Sequence, residues 1–316
     1  FWTSYLVKTF AWMIMLGRNG VVNNALLGVG VIGEPLSLIN NEFGVLVGMV
    51  HTMVPLAVMT MLPVMIGVDR RLVAAAQTLG ASPARAFWLV YYKLSFPGVA
   101  AAGLLVFISS LGFFIVPAFL GGRQQTMLAQ LIITQISELL NWSFAGALAM
   151  MMLVTALLAV ALYDRAFGMS SLTGGAAQTQ ADGVWRRLGL KGLEIVAAAS
   201  STLADGFRAL LGRRLTGAAL AVYSVLVIAF LILPTVLVVP IAFTSSEFLE
   251  FPPPGYSLRW FETYFNSPLW VTATARSFGV ALATAILATA LGAAAALAMA
   301  NSRGRWGGAL FALFLA

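Results

Sequence analysis

The residues whose types and spacing promise the most specific work lie between Asp69 and Gly98. They suit mechanical coupling, not bond making. Asp69–Leu79 is Ala-rich and favours helix, with Ala74, Ala75 and Ala76 keeping several faces small. Gly80 lets the backbone turn in a conformation that other residues avoid. Ser82 and Pro83 then read as an N-cap and a first helical position. The second helix, Ala84–Leu94, carries Arg85, Phe87 and Trp88, and Pro97-Gly98 is expected to break it. The expected product is a short rigid pair of helices, projecting from the bilayer, with small residues at its tip. Such a shape fits a cleft on a partner and transmits a rigid-body movement. An ordinary connecting loop with two interfacial helices fits the same residues, and the physics of the segment alone leaves both open.

Covalent chemistry has little material. There is no Cys, which excludes disulfides, thiolate metal sites and cysteine nucleophiles. One His and no clustered carboxylates leave no expected metal site, and no Ser–Lys or His–Asp constellation supports a membrane-embedded enzyme. No cofactor is expected in this chain.

The elements that must hold the segment are membrane spans. At 60% hydrophobic and 9% charged residues, with a mean hydropathy of +0.93, the chain is far from a soluble domain, where about 25% of residues are charged. Apolar runs at Gly44–Val68, Gly98–Leu120, Phe144–Tyr163, Leu215–Phe243 and Phe278–Ala300 approach or exceed the roughly 20 residues that cross a bilayer. They do not alternate as barrel strands would. The fold class expected is all-α, a polytopic transmembrane helical bundle.

A net charge of +7 would suggest nucleic acid in a soluble protein; here it reads as topology. If the loop at 67–97 is cytoplasmic, thirteen basic residues fall inside, among them Arg70, Arg71, Arg85 and Lys93, and five outside: Lys8, Arg18, Arg123, Arg259 and Arg276. Membrane lipid is then a partner and nucleic acid is not.

Residues 168–183 have a flexible-linker composition. Apolar and basic positions interleave over 185–214, which reads as a helix on the inner leaflet, with a docking surface as the alternative. The organisation expected is a first membrane unit at 1–167, a cytoplasmic linker with an interfacial helix at 168–214, and a second unit at 215–316. The chain opens without Met inside one apolar segment and stops inside another, so a fragment is expected.

The stretch LVAAAQTLGASPARAFWLVYYKLSFPG, Leu72–Gly98, closely resembles the cytoplasmic "EAA" loop of the permease subunits of ATP-binding-cassette (ABC) importers. Ala75, Ala76, Leu79, Gly80, Ala81, Ser82, Phe87, Val90, Pro97 and Gly98 fall where that pattern places them. Two residues depart from it. Ala74 stands where the family has an acid, so its carboxylate is missing here, and Lys93 replaces a Pro, which is expected to straighten the second helix. Residues 1–167 look like the last two-thirds of the first permease of a spermidine/putrescine-type importer, and 215–316 like the opening third of its companion.

The resemblance implies a type I ABC importer permease fold in a bacterial inner membrane. It implies an extracytoplasmic solute-binding protein on one face and ABC ATPase subunits, which bind the ATP and Mg, on the other. The coupling residues are then Ala74, Ala75, Ala76, Leu79, Gly80, Ala81, Ser82, Arg85 and Phe87. Path-lining candidates are Phe113, Phe114 and Pro117, with Glu138 as an acid for a polyamine and Glu34 and Glu42 beside it. Some polyamine permeases have acids near positions 113 and 118, where this chain has Phe113 and Ala118, which leaves room for phosphonates, opines or ferric ion. An ion-coupled carrier is the rival of a different class. It would keep ionisable groups deep in its spans, where His51 is the main exception and Arg276 lies close to an end. A purely structural scaffold has no positive support in the sequence.

Overall fold

The computed structural model describes residues 4–167, 217–248 and 251–301, together with Ala198. The described residues are helical, with no strand and one isolated bridge between Thr244 and Tyr256. In chain order the helices are α1 (Tyr5–Leu16), α2 (Val21–Gly28), α3 (Glu42–Ile66), α4 (Arg70–Thr78) and α5 (Pro83–Ala86). A π-helical segment, Phe87–Tyr92, leads into α6 (Lys93–Leu111), then α7 (Ile115–Leu120), α8 (Leu128–Ser137) and α9 (Trp142–Phe167). Beyond residue 216 the described helices are α10 (Gly217–Ala242), α11 (Arg259–Phe265) and α12 (Pro268–Asn301).

Among the described residues five helices are long and apolar enough to cross a membrane: Glu42–Ile66, Phe87–Leu111, Trp142–Tyr163, Gly217–Ala242 and Pro268–Leu297. The second of these corrects the run expected at Gly98–Leu120. Helical structure continues unbroken from Pro83 to Leu111, so Pro97 lies inside the helix and does not end it. Lipid-facing helices tolerate Pro where side chains satisfy irregular backbone groups. Here the Ser95 hydroxyl, fully buried, donates to the Tyr91 carbonyl at 2.8 Å and lies 3.2 Å from that of Tyr92. The under-wound π segment ends directly at Lys93, so the regular straight helix expected from the missing Pro is not what forms. The interfacial helix expected at 185–214 lies outside the described residues.

After α6 the chain breaks at Gly112 and returns as the short α7, whose Val116, Pro117 and Leu120 are buried. The core forms where α7 meets α1, from Trp12, Met15, Leu16, Val116 and Leu120, with Phe230 and Leu237 of α10 against it. A smaller cluster of Ala101, Leu104 and Tyr163 joins α6 to α9. Within the described residues α12 has no buried position along its span.

The connection from α1 to α3 contains α2, and a buried side chain helps tie it down. Asn23 is fully buried; its Nδ2 donates to the carbonyls of Gly17 and Leu36, each at 3.0 Å, and its Oδ1 accepts from Leu36 N at 2.9 Å. We expect Asn23→Leu to remove all three bonds and orphan buried backbone groups, at a cost of about 2–4 kcal/mol. Denaturant unfolding of the detergent-solubilised protein checks this, and an unchanged midpoint would show the loop is held by other means.

Candidate functional site

The loop between α3 and α6 is built by two local devices. Asp69 caps α4, its carboxylate accepting from Arg71 N at 2.9 Å. At the other end Gly80 N donates to Gln77 O at 3.1 Å and Ala81 N to Ala76 O at 3.0 Å. This pair of bonds is a Schellman turn, which needs a residue in the left-handed region at its centre. Gly80 supplies it, with φ of +92° and open space where a Cβ would stand. Two residues on, the Ser82 hydroxyl accepts from Arg85 N at 3.3 Å and starts the second helix at Pro83, as the sequence suggested.

The structure brings Ala75, Ala76, Leu79, Gly80, Ala81 and Ser82 into one tight turn. No residue of α4 is buried, Ala74 and Ala75 are open, and Leu79 is 89% exposed. Arg85 is exposed on the second helix, and Ala86 beside it is buried as its anchor.

Behind the tip the helix is stiffened and tied to the membrane spans. Phe87 stacks on Tyr91 with ring centroids 5.6 Å apart, and Trp88 meets Tyr92 edge-on at 4.9 Å. The Tyr91 hydroxyl donates to Met65 O at 3.1 Å, on the last turn of α3. About two turns further, Gly98 lies so close to α3 that a Cβ there would be 2.7 Å from Val64 Cβ. Small residues permit such backbone approach between membrane helices. The loop and two spans are thus one mechanical unit.

The path candidates are only partly assembled. Phe113 and Phe114 occupy the break between α6 and α7, not the interior of a span; Phe113 packs edge-on against Tyr5 at 5.2 Å, and Phe114 is 41% exposed. Pro117 is fully buried and contributes to the wall of a cavity of about 540 Å³ with Asn40, Arg123, Thr126 and Gln130. Glu138 caps the far end of α8, exposed, about 12 Å along the helix from Gln130. It is apart from the other three.

Lys8 corrects the sequence reading most. Expected among the outer charges, it is 5% exposed on α1. His51 lies deeper than its expected span suggested, 1% exposed, with its ring edge-on to Trp12 and to Phe230 at centroid distances of 5.7 and 5.4 Å. No local pattern pairs these three; the only signal was an ionisable residue inside an apolar run.

Comparison with known proteins places this geometry. Residues 3–166 match the family model described as "Binding-protein-dependent transport system inner membrane component". The chain is similar to the spermidine/putrescine transport system permease protein PotB of Haemophilus influenzae, 30% identical over 166 residues, 52% of this chain and 58% of that one. It is 28% identical over 180 residues to the inner membrane ABC transporter permease protein YdcU of Escherichia coli, covering 52% of this chain and 56% of that one. The probable ABC transporter permease protein y4fN of Sinorhizobium fredii is 28% identical over 176 residues, 55% of this chain and 30% of that one. The chain thus spans less than two thirds of the length of the relatives it matches. Half of its residues fit the family model and five helices among its described residues are long and apolar enough to cross a bilayer, so the chain belongs to the inner membrane components of binding-protein-dependent transport systems.

Proposed function

We propose that the chain is a membrane subunit of an ATP-driven importer, and that Leu72–Gly98 is the surface through which an ATPase moves its spans. The observation that carries this reading is Leu79, an apolar side chain left 89% exposed on a Schellman turn rigidly continuous with α6. An apolar tip held out from the bilayer on a stiff lever has no use without a cleft to receive it. Exposed Arg70, Arg71 and Arg85 surround it with positive charge. The coupling residues are Ala74, Ala75, Ala76, Leu79, Gly80, Ala81, Ser82, Arg85 and Phe87. ATP and Mg stay with the ATPase, and a solute-binding protein delivers solute to the opposite face.

Spermidine or putrescine is the solute in this reading, supported by the names of the PotB relatives. A cavity of about 730 Å³ at the far end of α10 suits a polycation, with Phe261, Tyr264 and Phe265 as aromatic faces. Arg259, paired with Glu247 at 3.1 Å and lying over the Trp260 ring at 4.2 Å, marks where a cation sits there and is the group a polyamine would displace. Two permease units, 1–167 and 215–316, joined by a 168–214 linker, complete the reading. Its support is y4fN: a match of similar length fills about half as much of that chain as of PotB, so y4fN is about twice as long.

The test is uptake of radiolabelled spermidine by proteoliposomes holding the complete gene product, its ATPase and its binding protein. Uptake that requires ATP is expected. Uptake driven by an ion gradient without ATP would instead make the protein a secondary carrier.

A further inference from the structure

A second cavity, of about 410 Å³, lies where α1, α3 and α10 meet, and its wall carries charge of the opposite sign from Glu247. Lys8, His51 and Thr235 are its polar side chains; Pro55, Val58, Met59, Leu231, Ile232 and Val236 make the rest. Along α3, His51 is about 14 Å from the Glu42 end, and along α10, Leu231 is about 17 Å from the Ala242 end. Both depths are near the middle of a bilayer core of about 30 Å.

An ammonium at that depth is expensive and normally has a carboxylate beside it. Among the described residues Lys8 has none. There its side-chain contact is the Tyr5 ring, 5.8 Å from Nζ, on its own helix. Neither α1 nor α10 contains an acid, and the acid of α3, Glu42, is more than two turns from His51. His51 is polar at both ring nitrogens. Nε2 lies 3.2 Å from Leu231 O, which can only accept, so Nε2 carries the proton. Nδ1 is buried and has no partner among the described residues. A cavity of this size falls in the range that holds small molecules.

We propose that this cavity is a binding site for a small organic anion, a carboxylate or phosphonate, whose charge neutralises Lys8. The anion accepts from the Lys8 ammonium while its apolar part lies against Val58, Met59 and Ile232. Depth selects a dissolved solute over a lipid phosphate, because headgroups lie at the interface, beyond the reach of Lys8. The site goes beyond the importer reading and does not depend on it: Lys8 repels a polycation, which has the wider aromatic cavity instead.

His51 is the single histidine of this sequence and serves as the reporter once its signals are assigned by substitution. The experiment uses the complete protein, labelled with ¹⁵N-histidine, in phosphatidylcholine nanodiscs that contain no anionic lipid, with His51→Gln assigning the imidazole resonances. Sodium acetate, methylphosphonate and spermidine are titrated separately. At least one of the two anions is expected to shift the His51 signals saturably and spermidine to leave them unmoved. Lys8→Met is expected to weaken that binding by more than about ten-fold and Lys8→Arg to retain it. Lys8→Gln replaces Lys8→Met if the latter does not fold. Absence of a saturable shift with both anions, equal affinity in the charge-removed variant, or a shift with spermidine overturns the proposal. No ATPase is present, so failure here leaves the importer reading standing, and failure of ATPase docking leaves this one.

Discussion

Leu79→Asp releases the ATPase: its co-purification with the complete protein falls by about two orders of magnitude while expression and membrane insertion stay at wild-type level. Leu79 is 89% exposed, so its loss removes almost no packing within the chain. In the proposed docking its value lies in a partner's cleft, where burying a Leu contributes about 1.5–3 kcal/mol. A carboxylate in the same cleft adds a desolvation cost, and a total near 3 kcal/mol is roughly 100-fold in affinity. Gly80→Trp reaches the same end by another route. The left-handed backbone at φ +92° penalises any side chain with a Cβ, and the indole stands where the tip must enter. Leu79→Ala is milder, because it loses the burial and adds no charge. Affinity-tagged pull-down with quantified ATPase, followed by ATP-driven uptake, separates these cases. Wild-type docking by Leu79→Asp would remove the coupling assignment, since no other apolar side chain stands so open on that turn.

How much of this could be read beforehand depends on the range of the interaction. The tip turn was legible because Gly80, Ser82 and Pro83 act on their own backbone, and the Schellman bonds close within six residues. Four of the five spans were legible because length and apolarity decide whether a helix crosses a bilayer. The span after the loop was misplaced. Pro97-Gly98 reads as a break by the rules of helices in water, but a side-chain hydroxyl at Ser95 and close packing on α3 keep the helix running. Lys8, Trp12, His51 and Phe230 were not legible as a group. Phe230 is 179 positions from His51, and apolar membrane helices carry no periodic pattern saying which faces meet. The distance of Glu138 from the other path candidates was not legible for a simpler reason: an acid between two helices gives no sign of which end of α8 it caps.

Gly98→Leu is expected to leave the ATPase docked and yet stop transport, because it disconnects the lever from the membrane. Even a bare Cβ at this position would be 2.7 Å from Val64 Cβ and 3.0 and 3.1 Å from its two γ carbons. The contact is side chain against helix backbone, so neither partner can swing away, and overpacking of this kind costs about 1–3 kcal/mol. Relief comes from moving α6 off α3. That movement also stretches the Tyr91–Met65 hydrogen bond about two turns away, the latch at the base of the loop. Docking at Leu79 is untouched, since it depends only on the turn and its exposed face. The expected signature is therefore an ATPase that still co-purifies and still hydrolyses ATP, with spermidine uptake near background. A compensating pair identifies the cause. Gly98→Ala alone lowers the unfolding midpoint and uptake, Val64→Gly alone lowers the midpoint through lost packing, and the double variant recovers most of both because the missing Cβ has only changed helices. Strictly additive losses in the double variant would mean that the α3–α6 approach at Gly98 is not what carries the loop's movement into the bilayer.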